Sequence, residues 1–251
     1  MGAAKRERMN AIVPTLRCAV FGASGGIGGA LASALAARAE VAEVHAGSRR
    51  GDGPSGHKLR SFAFDLTDEA TIAAACAGIG GPLDIVLIAT GCLTRADGSG
   101  PEKSYRALSA DGMAELFAIN TIGPALIAKH ALPLLHRTNR AVFAALSARV
   151  GSISDNRLGG WHAYRASKAA LNMLVKNLAL ELARTHPQAL AVTLHPGTVD
   201  TALSAPFQRG VAAEKLFTAE YSAAALLSVL DRLAPADSGG LFAWDGARIS
   251  F

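Results

Sequence analysis

Residues Gly22-Ala23-Ser24-Gly25-Gly26-Ile27-Gly28 stand between an apolar run, Cys18-Ala19-Val20-Phe21, and an Ala/Leu-rich helical pattern over 29–38. Strand, glycine turn and helix in that order make a phosphate-binding corner. Gly22 permits a tight turn, while Gly26 and Gly28 let the backbone close on an anion. The free N–H groups at the helix start face that anion. The glycines sit between two periodic elements, which separates them from a flexible linker. Their spacing, Gly-x-x-x-Gly-x-Gly, differs from the Gly-x-Gly-x-x-Gly of long-chain dehydrogenases.

A second constellation lies far downstream. Tyr164-Arg165-Ala166-Ser167-Lys168 places a phenol and an ammonium four residues apart, on one face of a helix. A phenol with its usual pKa near ~10 is a poor acid or base at neutral pH. A fixed positive charge beside it favours the phenolate, so Lys168 is expected to lower the Tyr164 pKa and ease proton exchange with a carbonyl or alcohol oxygen. Many helices carry Tyr-x-x-x-Lys by chance; its weight here comes from the glycine turn upstream.

Together these residues resemble the short-chain dehydrogenase/reductase superfamily, from about Leu16 to the C-terminus. Gly151-Ser152-Ile153-Ser154-Asp155-Asn156, Gly159-Gly160-Trp161 and Tyr164 to Asn172 are similar to its C-factor/sniffer branch, which contains small carbonyl reductases and proteins named for intercellular signalling. The resemblance implies that Asp65 bonds the adenine and that Asn120 holds a water in the proton relay. It implies that Pro196-Gly197-Thr198-Val199-Asp200-Thr201 covers the nicotinamide. Gly22, Ser24, Gly25, Gly26, Ile27, Gly28, Leu66, Ala89, Thr90, Gly91, Tyr164, Lys168, Pro196, Gly197, Val199 and Thr201 then fall to the cofactor. Three positions depart from the family pattern. Phe21 replaces a threonine, Thr90-Gly91 replaces an Asn-x-Gly run, and Ala148 occupies the slot of the substrate-orienting serine. Ser147 is the candidate for that role if the strand ends or bulges there, with Ser152 as the fallback.

The second strand ends Val44-His45-Ala46-Gly47-Ser48-Arg49-Arg50. An acid at this point would bond ribose hydroxyls and repel a 2′-phosphate, whereas Ser48 and Arg49 suit the phosphate. NADP(H) is therefore expected over NAD(H), unless Arg49 and Arg50 are only a solvated charge pair.

Apolar runs alternate with helical patterns, which predicts one α/β domain with a doubly wound parallel sheet over 15–251. Strands are expected over 17–21, 41–46, 59–65, 85–89, 141–147, 189–195 and about 240–243. Helices are expected over 27–38, 69–76, 111–135, 161–186 and 222–233, with Pro124 and Pro133 bending or shortening the third. Residues 202–217 form the expected lid. Residues 1–14 precede the family fold and are expected to be disordered; Met9 is an alternative start. By resemblance, the helix pair over 111–135 and 161–186 packs against another subunit, giving a homodimer or homotetramer.

The chain has 251 residues, half of them hydrophobic, enough for one sizeable core. Its net charge of +5 is spread without a long basic block or stacking aromatics, which argues against nucleic-acid binding. Cys18, Cys76 and Cys92 show no metal-ligand or redox-pair spacing, so no metal and a reducing cytoplasm are expected. No apolar run reaches membrane-spanning length. The seven histidines lack ligand spacing and receive no chemical role, although His195 abuts the nicotinamide turn. The expected activity is NADP(H)-dependent reduction of a small aldehyde or ketone, with Tyr164, Lys168, Asn120 and Ser147 as its machinery. The alternative is a dinucleotide-binding signalling or sensor protein with incidental catalysis.

Overall fold

The computed structural model describes residues 15–251, so the extension expected over 1–14 lies outside the described residues. Alternation of apolar residues gives every central strand two buried faces. In β1 (Leu16–Phe21), Cys18 and Val20 enter the core on one side of the sheet, and Ala19 and Phe21 on the other. The strand β4 (Ile85–Ile88) divides likewise, Ile85 and Leu87 against Val86 and Ile88. A strand apolar on both faces needs helices on both sides.

Those helices follow. On one face, α1 (Gly26–Ala36) buries Leu31, Ala32 and Leu35, beside α6 (Ala219–Arg232) with Leu226, Leu227 and Leu230. The other face is covered by α2 (Glu69–Ile79), α4 (Gly123–Ala131) and α5 (His162–Thr185), through Ile72, Ile127, Leu171 and Val175. Side-chain caps start several of them: Asp68 accepts from Ala70 N–H at α2, and Thr218 from Tyr221 N–H at α6. Ser109 does the same for α3 (Ala110–Phe117).

The remaining strands are β2 (Val41–Ser48), β3 (Leu59–Ala63), β5 (Ala141–Leu146), β6 (Ala189–His195), β9 (Leu241–Ala243) and β10 (Arg248–Ile249). Their order is β3-β2-β1-β4-β5-β6-β9-β10, parallel except for the last pair. The order reverses direction between β1 and β4, and ligands of such sheets sit at that crevice. A separate two-stranded ribbon pairs β7 (Thr198–Val199) with β8 (Leu216–Phe217), tying the segment just before the expected lid to the lid's end. Neither the ribbon nor β10 is apparent in the sequence pattern, because two-residue strands carry no periodicity. No helix among the described residues is long and apolar enough to cross a membrane.

The helix expected over 111–135 is four pieces. Between α3 and α4 the chain makes a π-helical turn, Ala118–Ile122, and beyond α4 a 3₁₀ turn, Leu132–Leu134, carries Pro133. Pro124 sits at the start of α4, where a missing N–H is best tolerated. Phe21, the departure before the glycine turn, is fully buried and meets Phe62 and Phe64 edge-on at 5.2 and 5.1 Å. Gly47 makes room for that cluster, since a Cβ there would stand 2.3 Å from the Phe62 ring. An aromatic cluster thus takes the place of the hydroxyl bond that threonine would make. Phe21→Ala should lower unfolding free energy by ~3–5 kcal/mol, the usual cost of emptying a buried phenylalanine site. Urea denaturation checks this; a loss under about 1 kcal/mol would show that the cluster does not hold the corner.

Candidate active site

The glycine turn is built for close approach. Gly22 has φ of 96°, and a Cβ on it would stand 2.9 Å from the Ala89 carbonyl carbon. A Cβ on Gly28 would come within 2.1 Å of the Gly22 oxygen, so α1 starts directly against the turn. Gly26 faces Thr201, whose methyl group would lie 2.8 Å from an added Cβ. The turn thus meets the Pro196–Thr201 segment from the far end of the chain. Gly22, Ser24, Ser48, Arg49, Asp65 and Thr90 are among the residues that line a cavity of about 330 Å³, together with Gly25, Leu66, Ala89 and Gly91. The Thr90 hydroxyl is buried there without a partner among the described residues. A backbone cradle too tight for side chains, an exposed guanidinium and an orphaned hydroxyl fit a dinucleotide.

At the end of β2 the site is more constrained than the sequence suggests. Ser48 gives its proton to Asp52 at 2.6 Å, and Arg50 also engages Asp52, at 3.1 Å. Ser48 therefore presents lone pairs to the cavity, while exposed Arg49 makes no ion pair among the described residues. Asp65 accepts from the Thr67 N–H and hydroxyl, at 2.8 and 2.7 Å. These two bonds, then Arg49, hold its carboxyl below the usual range.

A second cavity, about 380 Å³, opens at the carboxyl ends of β5 and β6. Ile27, Ser147, Tyr164, Pro196, Gly197, Val199 and Thr201 all reach it. Gly91 lines the first cavity, and a Cβ on it would lie 3.2 Å from Asn120 Oδ1 and 3.4 Å from Lys168 Nζ. The π turn carries Asn120, fully buried, which accepts from Cys92 N–H and donates to the Cys92 carbonyl, both at 2.9 Å. It also donates to Ser167 Oγ at 3.2 Å. Its side chain is committed to the backbone and to α5, which makes it a clamp between segments. The extra residue of a π turn re-aims a side chain in this way.

Lys168 is buried, donates to the Leu146 carbonyl at 2.9 Å and stands 6.0 Å from the Tyr164 ring centre. Burial pulls its ammonium down to about 8, and pushes the Tyr164 phenol well above its ordinary value, with Cys92 adding to the rise. The expected lowering of the phenol pKa is therefore corrected. Desolvation opposes the charged forms of both groups and is the largest influence on each. Tyr164 is a neutral phenol that keeps its proton, beside a lysine still mostly charged at neutral pH.

The strand β5 ends at Leu146, as the use of Ser147 requires, and Ser147 reaches the cavity wall. Its hydroxyl nevertheless turns toward α5 and donates to Asn172 Oδ1 at 2.8 Å. Ser152, the fallback, is buried away from the cavity and donates to the Ser250 carbonyl. Ala148 lines the cavity with a methyl group.

Several residues at the site escape sequence reasoning. The run Gly159, Gly160 and Trp161 is left-handed at all three positions, with φ of 62°, 67° and 52°. A tryptophan in that conformation is uncommon. It starts α5 and puts Trp161 on the cavity wall, 5.5 Å from Phe207 of the lid. Glu102 accepts from the Ala163 N–H at 3.2 Å, and its carbonyl accepts from Trp161 N–H. Arg149 and His195 also line this cavity. Of these, the Gly159-Gly160-Trp161 triplet carried a signal in the sequence, and His195 was marked only by its place beside the nicotinamide turn.

A sheet of this order, with a glycine turn at its switch point and a Tyr/Lys pair at the strand ends, defines a dinucleotide-binding oxidoreductase. The family described as short chain dehydrogenase matches residues 17–211, and the chain belongs to it. C-signal of Myxococcus xanthus is 36% identical over 138 residues, covering 55% of this chain and 77% of that protein. The 1-hydroxy-2-glutathionyl-2-methyl-3-butene dehydrogenase of Rhodococcus sp. strain AD45 is 36% identical over 133 residues, 53% of this chain and 56% of that one. Among solved structures, NADPH-bound carbonyl reductase from chicken fatty liver superposes with a TM-score of 0.80 at 26% identity, covering 95% of this chain and 100% of that one. The carbonyl reductase Sniffer of D. melanogaster, 21% identical, shares the fold with a TM-score of 0.79 over 95% of this chain and 100% of that one.

Proposed function

We propose that the chain reduces a small aldehyde or ketone, or oxidises the matching alcohol, using NADP(H). When bound, the dinucleotide would exchange a hydride with the substrate carbon. Tyr164 would give its proton to the substrate oxygen, or take it back in the other direction. Lys168 would supply the positive charge that steadies that exchange, and Asn120 would hold the loop after β4 and α5 at the distance it needs. Ser147 takes part only by releasing Asn172. The observation that carries this reading is Tyr164 on the wall of the strand-end cavity with buried Lys168 one helical turn behind it.

Tyr164→Phe keeps the ring but removes the proton donor. Turnover should fall by ~10²–10⁴-fold while NADPH affinity changes little. Lys168 is charged below about 8 and loses its charge above it. Carbonyl reduction should therefore decline as pH rises through about 8, and Lys168→Arg should move that decline upward. Near-normal turnover in Tyr164→Phe would refute the mechanism.

For the cofactor, exposed Arg49 supports NADP(H), as do solved structures of a carbonyl reductase with NADPH and of a Burkholderia multivorans short-chain dehydrogenase/reductase with NADP, each 26% identical. Ser48, its proton spent on Asp52, contributes less than the sequence suggested. Arg49→Ala should weaken NADPH binding by about tenfold and leave NADH unchanged. Equal or better use of NADH by the wild type would overturn the preference.

Exposed Met173 and Leu180 lie seven residues apart on α5, and exposed Ile122 lies at the entry to α4. These exposed apolar side chains support a homodimer or homotetramer, expected as a multiple of the chain mass in light scattering; a monomer at micromolar concentration would contradict it. The likeness to C-signal and the alanine at 148 favour a second reading, a dinucleotide-binding signalling protein. NADPH binding with no reduction across a broad panel of aldehydes and ketones would decide for it.

A further inference from the structure

The substrate-end cavity contains a polar group with nothing to bond. His195 closes β6 and lines the same cavity as Tyr164 and Ala148. Its ring has no hydrogen-bond partner among the described residues, and Nδ1 is walled off from solvent. A neutral imidazole carries its proton on one of two nitrogens. On Nδ1 the proton would be a stranded donor, which is the costlier arrangement. It belongs on Nε2, the ring nitrogen that is not sealed off among the described residues. Burial, and then the positive charge of Arg149 on the same wall, hold the imidazole down to about 4, with Asp245 opposing them weakly. His195 is thus a neutral N–H donor throughout the working pH range.

A donor of this kind answers a gap in the site. Ala148 offers only a methyl group to the cavity. Ser147 spends its proton on Asn172, and Ser152 spends its own on the Ser250 carbonyl. No serine hydroxyl in this part of the chain is therefore free to steady a substrate oxygen. We propose that His195 donates its Nε2–H to an oxygen of the substrate and holds it against Tyr164. It would do from β6 what a hydroxyl at position 148 would do from β5. No proton leaves the imidazole; its contribution is a directed hydrogen bond, so the ligand class is a carbonyl or alcohol oxygen. The inference rests on the carbonyl-reductase reading.

The test uses the full chain, NADPH and a panel of aromatic aldehydes and aliphatic ketones. His195→Leu should lower kcat/KM by ~10²–10³-fold, the usual loss for one oxyanion donor, with NADPH Kd unchanged. Adding Ala148→Ser to that variant should recover about tenfold or more, because the new hydroxyl reaches the same oxygen. A histidine needed only for packing would not be rescued from across the cavity. Activity of His195→Leu within about threefold of wild type, or no recovery from Ala148→Ser, would overturn the proposal. On the unmutated protein, ¹⁵N NMR of the histidines should show His195 as the neutral Nε2–H form, and its signal should move when benzyl alcohol is added to the NADP⁺-loaded protein. An Nδ1–H form, or an unmoved signal, would also overturn it. A wild type that binds NADPH but reduces nothing refutes the carbonyl-reductase reading instead, and the NMR result then decides on His195 alone.

Discussion

The site depends on one amide. Asn120 is sealed from water and uses both ends of its side chain, against Cys92 backbone on one strand-end loop and Ser167 on α5. Its neighbour Thr121 adds a bond from its hydroxyl to the Ser167 carbonyl at 2.8 Å. Buried polar groups that lose a partner cost ~1–3 kcal/mol each, so these bonds are a strong constraint on where α5 can sit. They also explain the π turn. A regular helix from 110 to 131 would point residue 120 elsewhere, and the irregularity persists because it delivers this side chain to the loop after β4.

With α5 held there, the electrostatics follow. Lys168 lies under the Leu146 carbonyl, where it is shielded from water and partly compensated by one hydrogen bond. The same burial keeps Tyr164 protonated. Desolvation therefore governs both groups, and the pair is poised by shared burial more than by mutual attraction. A charge expected from spacing alone to dominate its neighbour is overruled by the depth at which the sheet and helices place both.

Much of this was legible in the chain itself. The glycine turn, the alternating apolar runs and the Tyr-x-x-x-Lys pair are local patterns, and each of them marks its element and its face without reference to the rest. What stayed hidden has a common source in contacts across long sequence separations. The capping of α5 by Glu102 and the capture of Ser147 by Asn172 involve residues whose types are unremarkable where they stand. The Ser48–Asp52 bond is closer in sequence but was hidden inside what looks like a loop of glycine and proline. Pro124 announced a break in the helical pattern, yet a proline at the start of α4 cannot reveal that the turn before it is π-helical.

The left-handed corner at Gly159-Gly160-Trp161 sets the rotational phase of α5. Each helical residue turns by ~100°, so one residue gained or lost between Trp161 and Lys168 would swing the phenol or the ammonium off its wall. The stretch before the corner, 152–158, is mostly exposed and carries no such requirement. Length changes are thus tolerable on one side of Gly159 and ruinous on the other. The tolerance of this chain for a change of length switches within a single turn of backbone.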